Sequence, residues 1–208
     1  MQEYPKIQSI FKRDERTHKF LVDQWSLPEF EYLKDNLWVF TEKVDGTNIR
    51  VMWSTTEGKV TFGGKTDNAQ IPGFLLNRLQ DLFPAEKFYG YSSMCLYGEG
   101  YGAKIQKGGG NYISNGVDFV LFDVWIDGWW LRREAVEDIS LKLGIDTVPV
   151  VGRGPIQKAI NLVLGGLLSR WGDFQVEGLV LRPEVDLMTR TGQRIITKLK
   201  YKDFQKEE

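Results

Sequence analysis

The sequence predicts an α+β fold with largely antiparallel β-sheets flanked by helices. Two observations lead to this class. Strand-like runs outnumber helical patterns along the chain, and the two kinds do not alternate regularly, as they would in a parallel α/β sheet. At 208 residues the chain is long enough for one well-filled core, so a single domain over residues 1–208 is expected.

The first elements are a mixed, polar stretch and then a β-hairpin. The charged run at residues 11–16 is predicted to be a solvated face or loop. Strand-like runs at 48–53 and 59–62 flank Thr55-Thr56-Glu57-Gly58, which is typical of a hairpin turn. Leucines at helical spacing predict a helix that begins at Pro72 and reaches residue 83, with proline in the first turn.

The second half of the chain contains further strand-like runs and two helical patterns. Asp127-Gly128 is typical of a turn, and Gly144 of a helix end. The predicted elements are a strand at 94–97 followed by a glycine-rich loop at 98–102, a strand at 117–126 turned into 129–131, helices at 132–143 and 155–171, and strands at 176–181 and 195–199.

Composition excludes several classes of function. A single cysteine rules out an internal disulfide and a multi-cysteine metal site. The single histidine, His18, lies in a polar stretch far from the candidate motifs, so neither a histidine-dependent triad nor a histidine-rich metal site is expected. The formal net charge of −1 does not by itself indicate a nucleic-acid binder. It does not exclude one, because acidic residues elsewhere can offset the charge of a basic face. No apolar run reaches the length of a membrane span and no signal peptide begins the chain, so a cytoplasmic protein without membrane contact is expected. The protein is expected to be a monomer by default.

Two glycine-containing segments resemble nucleotide motifs but do not fit them. Gly63-Gly64-Lys65-Thr66 resembles the end of a phosphate-binding P-loop, yet position 59, where that motif requires glycine, is lysine, and the following residues are loop-like. The glycines at positions 98, 100 and 102 lack the dinucleotide-binding spacing and a following helix. Neither classical phosphate-binding loop is therefore expected.

The remaining candidate is a covalent lysine site in residues 42–48, Glu-Lys-Val-Asp-Gly-Thr-Asn. This stretch is predicted as a strand end, a tight turn and the next strand, which places Lys43 beside a carboxylate and a glycine. An attacking lysine must be neutral, and nearby cations and burial both lower a lysine pKa. Lys198 and Lys200, two residues apart on one strand face, can supply cations and hold phosphate oxygens, or can simply be solvated.

Three further residues have both a structural and a functional interpretation. Glu177 is either a turn carboxylate entering a core strand or a group that holds a metal-bound water beside phosphates. Glu99 can accept hydrogen bonds from a ribose, while its neighbouring glycines allow close backbone approach. Phe122 is either a core residue or a platform on which a purine stacks.

Together these segments resemble the covalent nucleotidyltransferase superfamily, most closely its RNA ligase 2-like branch. Five motifs occur in the family's order between about Thr41 and Phe204. They are Lys43-Val44-Asp45-Gly46-Thr47-Asn48, Tyr97-Gly98-Glu99-Gly100-Tyr101-Gly102 with Lys104-Ile105-Gln106, Phe122-Asp123, Glu177-Gly178-Leu179-Val180 and Lys198-Leu199-Lys200. The resemblance implies the ATP-grasp-like nucleotidyltransferase domain of the ligase and capping type.

The resemblance further implies an ATP-dependent RNA ligase with a three-step reaction. Lys43 attacks the α-phosphate of ATP and holds AMP, the AMP passes to an RNA 5′-phosphate, and a 3′-hydroxyl then seals the strand. Mg²⁺ or Mn²⁺ offsets phosphate charge through waters held by Glu177 and Asp45. The other implied roles are Glu42 near the adenine, Glu99 at the ribose, Phe122 on the nucleobase, Lys198 and Lys200 on the α-phosphate, and Asn48 in the sealing steps.

The sequence departs from the family pattern in two places. Where the family often carries an arginine for end recognition this chain has Lys65, which keeps the charge but loses the bidentate fork. No OB-type domain is expected after Lys200, so a separate protein that recognises the RNA end or nicked duplex is a candidate partner. The alternatives are a minimal DNA ligase, a GTP-dependent capping enzyme, or a non-catalytic module that binds a nucleotide or RNA end.

Overall fold

The computed structural model describes residues 3–204, which form two compact units. The first unit contains Asp45–Val148 together with the N-terminal segment up to Pro5. The second unit contains Lys6–Val44 and the chain from Pro149 onward. The chain therefore crosses from the second unit to the first immediately after the predicted nucleophile motif begins.

The first unit is built on a six-stranded sheet of order β10-β8-β7-β5-β6, with β9 paired to β8. Its elements are β5 (Thr47–Ser54), β6 (Lys59–Gly63), α2 (Gly73–Leu82), a 3₁₀ turn (Ala85–Phe88), β7 (Met94–Gly102), α3 (Gly109–Tyr112), β8 (Val117–Ile126), β9 (Trp129–Trp130), α4 (Arg133–Leu143) and β10 (Asp146–Thr147). Helices α2 and α4 pack on β8. Alternate strand residues such as Ile49, Val51 and Leu96 face the core beneath these helices.

The second unit is built on a five-stranded sheet of order β1-β13-β12-β4-β11 and a separate β2–β3 pair. Its elements are β1 (Gln8–Ser9), β2 (Phe11–Arg13), β3 (Phe20–Trp25), α1 (Pro28–Tyr32), β4 (Trp38–Lys43), β11 (Val150–Gly154), α5 (Ile156–Leu164), β12 (Gly178–Pro183), β13 (Thr197–Lys200) and α6 (Tyr201–Phe204). Trp38, Phe40 and Leu181 are fully buried and belong to the core of this unit, which also contains Ile156 and Ile160 of α5.

The predicted fold class is confirmed. Among the paired strands of residues 3–204, β1–β13 and β10–β8 are parallel and the other pairings are antiparallel. The hairpin, the strand at 117–126 and its turn into β9 are also confirmed, and α2 and α4 match the predicted helices to within one residue. In the described part of the chain, no helix is long and apolar enough to cross a membrane.

The glycine-rich segment at 98–102 is a strand, which corrects the predicted loop. Strand β7 runs without interruption through Gly102. A Cβ at Gly98 would collide with the ring of Phe119, and one at Gly100 would lie 2.7 Å from a methyl carbon of Leu75. The glycines therefore allow close packing inside the sheet, and do not mark a turn.

Two other predicted elements are wrong in part. Residues 11–16 are not simply a solvated face, because Phe11 is 2% exposed and its ring lies 4.9 Å from that of Trp25. The helix predicted over 155–171 ends at Leu164, where two glycines follow and Gly166 has a φ of +79°. Apolar spacing continued beyond these glycines through Leu167 and Leu168, although the helix itself did not.

Candidate active site

Strand alternation in the second unit places the predicted phosphate-site lysines on one face of its sheet. Lys43 ends β4, and Lys198 and Lys200 lie on β13. Gly178 of the intervening strand β12 is the register partner of Lys43 on one side and of Lys200 on the other. Because partners across antiparallel strands share a face, Lys43 and Lys200 flank a position without a side chain. A Cβ there would collide with the carbonyl oxygen of Leu199.

Glu177 joins the two lysines from the residue just before β12. Its Oε2 lies 2.5 Å from Nζ of Lys43, and its Oε1 lies 2.5 Å from Nζ of Lys200. The side chains are 13% exposed for Glu177 and 21% exposed for each lysine. Two ammonium groups thus converge on one largely buried carboxylate, and the three residues form what we call the lysine–glutamate cluster.

The charge of this cluster holds Glu177 ionised. Burial by itself raises the pKa of the Glu177 carboxyl. The charge of Lys43 and hydrogen bonds from Lys200 and Lys43 outweigh burial, and the pKa is lowered below the ordinary value of 4.5. The carboxylate therefore remains negatively charged at neutral pH and can organise cations or hydrated metal ions.

Glu42 lies on the opposite sheet face from Lys43, although the two are adjacent in sequence. In β4 the residues Trp38, Phe40 and Glu42 are buried, whereas Lys43 is half-buried on the other face. One Glu42 oxygen accepts a hydrogen bond from Ser169 Oγ at 2.6 Å, and the other accepts one from the backbone N–H of Arg170 at 2.9 Å. Burial raises the pKa of this carboxyl against the effect of these two bonds. Glu42 therefore fixes the 169–170 turn, and its predicted place near the adenine stays a prediction.

The remaining motif residues lie in the first unit. Asn48 of β5 is the register partner of Glu99 of β7. The backbone N–H of Asp45 donates to the hydroxyl of Tyr112 at 3.1 Å, and Gln106 donates to the carbonyl oxygen of Gly46 at 3.1 Å. The structure thus brings Asn48 and Glu99 together on neighbouring strands, and ties the Asp45–Gly46 turn to the segment after β7.

Phe122 occupies an irregular position in β8. Along the β7–β8 pair, Tyr97 faces Asp123 and Gly98 faces Leu121, so Phe122 is the extra residue of a β-bulge. A bulge changes the direction of the extra side chain and leaves it without a cross-strand partner. Phe122 was predicted as a candidate, but the bulge has no signal in the sequence, because the extra residue is defined only by the strand pairing.

Lys65 is exposed on the turn after β6, and a buried arginine supports that turn. Arg50, 1% exposed, donates through Nε to the carbonyl oxygen of Gly64 at 2.8 Å and through Nη2 to Asp67 at 2.7 Å. Its Nη1 has no hydrogen-bond partner among the described residues. Arg50 was not predicted, although an arginine between Ile49 and Val51 in an apolar strand was a usable signal.

The donor set fits a hydrated divalent ion better than an enclosed metal site. No group of three or more His, Cys, Asp or Glu side chains within residues 3–204 is arranged to hold a metal. Mg²⁺ commonly retains several waters and binds through one or two carboxylates together with substrate phosphates. Glu177 is an ionised carboxylate of this kind, but both of its oxygens pair with lysine ammonium groups here, so a metal-bound water would have to displace one of them.

Comparison with known proteins identifies the family. The model of the RNA ligase family matches residues 36–201, which contain every predicted site residue. The chain therefore belongs to the RNA ligase family. A search of curated proteins gave no match.

Solved structures of Naegleria gruberi RNA ligase share the fold. A mutant with ATP and Mn has a TM-score of 0.65 and 18% identity, over 95% of this chain and 57% of that one. Another mutant with ATP and Mn has a TM-score of 0.67 and 17% identity, over 96% and 64%. The same ligase with PPi has a TM-score of 0.64 and 18% identity, over 95% and 61%. The chain thus spans about three-fifths of the length of these proteins.

Proposed function

We propose that this protein is an ATP-dependent RNA ligase that forms a covalent lysyl-AMP intermediate on Lys43. The observation that carries the proposal is the lysine–glutamate cluster, in which a nucleophile candidate and a second cation converge on one ionised carboxylate. Membership of the RNA ligase family supports it. So do the Naegleria structures, which were solved with ATP, AMP, PPi and Mn.

In the first step the neutral amine of Lys43 attacks the α-phosphorus of ATP. The phosphorus–nitrogen bond forms, the bond to the bridging oxygen of the β-phosphate breaks, and pyrophosphate leaves with that electron pair. The Lys43 nitrogen releases one of its two protons to solvent, which gives the neutral phosphoramidate nitrogen. The 2.5 Å ion pair with Glu177 stabilises the charged form of Lys43, so the attack requires the pair to loosen when nucleotide binds. Lys198 and Lys200 hold the α-phosphate oxygens and stabilise charge that develops there.

In the later steps AMP passes from Lys43 to the 5′-phosphate of an RNA end, and a 3′-hydroxyl displaces it. For the first unit we keep the roles that the family implies: Glu99 for the ribose, Phe122 for the nucleobase, Asn48 for sealing and Lys65 for the RNA end. Mg²⁺ or Mn²⁺, held through water by Glu177 and Asp45, would offset the negative charge of the phosphates.

The test is covalent labelling with α-labelled ATP and, separately, α-labelled GTP. ATP-dependent label that is lost in Lys43→Ala is the expected result. Lys59→Ala is the matched control, because Lys59 is 58% exposed and pairs with Glu57 on the surface. Label from GTP would indicate a capping enzyme, and label from neither nucleotide would refute the enzymatic proposal in favour of a binding module. A panel of nicked and single-stranded RNA and DNA then separates an RNA ligase from a minimal DNA ligase.

A further inference from the structure

The N-terminal segment packs on the aromatic motif of the first unit. Tyr4 belongs to this unit, although the chain from Lys6 onward belongs to the other. The ring centroid of Tyr4 lies 5.0 Å from that of Phe122, 5.1 Å from that of Tyr97 and 5.5 Å from that of Trp130. The Phe122 and Trp130 contacts are edge-to-face, a geometry that aromatic pairs favour.

The hydroxyl of Tyr4 makes a second connection to the same motif. It donates a hydrogen bond of 2.8 Å to Oδ2 of Asp123, a carboxylate that is 0% exposed. A buried carboxylate is unfavourable unless donors satisfy its oxygens. Tyr4 therefore contacts both residues of the Phe122-Asp123 motif, one through its ring and one through its hydroxyl.

A neighbouring residue also attaches this segment to the first unit. Oε1 of Glu3 accepts a hydrogen bond of 3.0 Å from the backbone N–H of Asp67, whose side chain pairs with buried Arg50. Two consecutive residues, Glu3 and Tyr4, thus bind separate parts of the first unit. The segment is a defined packing element of that unit.

Phe122 depends on such packing because it lies in a bulge. It has no register partner on β7, so the pleat of the sheet does not fix its ring. We propose that Tyr4 is a positioning residue for nucleobase recognition, which holds Phe122 and Asp123 in the arrangement that accepts the base of ATP. This inference rests on the proposed function, and it adds a residue outside the five family motifs.

The experiment measures equilibrium ATP binding by calorimetry in a Lys43→Ala background, where no covalent step can occur. Adding Tyr4→Ala should raise the Kd for ATP about tenfold, the equivalent of losing one or two favourable aromatic contacts. Tyr4→Phe keeps the ring contacts and should stay within about threefold of the parent. Tripolyphosphate, which has charge but no base, should bind all variants within about twofold.

Tyr32→Ala is the control, since Tyr32 is 87% exposed. An unchanged Kd for ATP in folded Tyr4→Ala protein would overturn the inference. If wild type is still labelled by ATP, the proposed function is unaffected by that result. Equal weakening of ATP and tripolyphosphate would also overturn it, because a general structural defect would then explain the loss. If Tyr4→Ala does not fold, Tyr4→Leu keeps apolar bulk without a ring and is measured instead. Absence of both ATP binding in the Lys43→Ala parent and labelling of wild type would refute the proposed function and this inference together.

Discussion

Replacing Glu177 by glutamine tests the lysine–glutamate cluster most directly. The amide keeps the size of the side chain but removes the charge that two ammonium groups share at 2.5 Å each. Exposed ion pairs contribute about 0–1 kcal/mol, and breaking a fully buried pair costs about 3–5 kcal/mol. With Glu177 13% exposed and each lysine 21% exposed, an intermediate loss of about 2 kcal/mol in the free energy of unfolding is expected.

Urea unfolding at neutral pH measures this loss. A change of about 2 kcal/mol should lower the urea midpoint by about 1 M, while the native state stays folded at zero urea. The matched control is Glu57→Gln, which removes an ion pair to Lys59 at 2.6 Å whose side chains are 56% and 58% exposed. This variant should lose less than about 1 kcal/mol.

The pH dependence of the same measurement has a definite sign. Because the pKa of Glu177 is lowered in the folded protein, its contribution is present above the ordinary value of 4.5. It is lost as the pH falls from there through the lowered pKa. The stability difference between wild type and Glu177→Gln should therefore shrink on acidification below the ordinary value of 4.5. It should stay constant above about pH 6.5, which is about two units higher.

Labelling with α-labelled ATP completes the test. The folded Glu177→Gln variant should form less than about 1% of the wild-type label per unit time. The neutral amide would no longer hold the water of the metal ion that would offset phosphate charge. Wild-type label would refute the catalytic role of Glu177. A midpoint shift no larger than that of Glu57→Gln would refute the energetic argument, and loss of the folded state would favour a purely structural carboxylate.

Three further predictions concern other candidate site residues. Lys43→Arg should form no label, because guanidinium does not deprotonate in proteins; AMP capture by this variant would contradict Lys43 as the nucleophile. The free energy of unfolding of Glu42→Gln should stay close to that of wild type in thermal unfolding. That of Glu42→Ala should fall by about 1–3 kcal/mol, because Ser169 and Arg170 lose their hydrogen-bond acceptor. Equal losses in the two variants would contradict this prediction. Lys65→Ala should weaken binding of 5′-phosphorylated RNA and reduce its salt dependence, with Lys65→Arg restoring both; an unchanged salt slope would exclude a phosphate contact.

Local patterns predicted most of the elements that carry the candidate site. The two-residue spacing of Lys198 and Lys200 placed both on one strand face, and the structure has them there. The turn between Lys43 and Thr47 was likewise predicted from residues 42–48, which contain Gly46. Such signals are local, since they depend on backbone geometry over a few residues.

The predictions that failed depended on distant parts of the chain. Gly98 looked like a loop residue because the ring of Phe119 that excludes a side chain there is contributed by another strand. Phe11 looked solvated because its aromatic partners, Phe20 and Trp25, follow on the next strand. Neither the bulge at Phe122 nor the contact of Tyr4 with Asp123 has a local pattern, because strand register and an interaction across 119 positions define them.

By itself the sequence determined which residue types are available, their order and, within a regular strand, which residues share a sheet face, because strand alternation is a property of the backbone. Only the tertiary structure decided that Lys43 and Lys200 flank Gly178, and that Glu177 bridges the two lysines. These outcomes required three strands to pair in one register. Strand register depends on the core that forms beneath the sheet, which is a collective property of residues far apart in the chain.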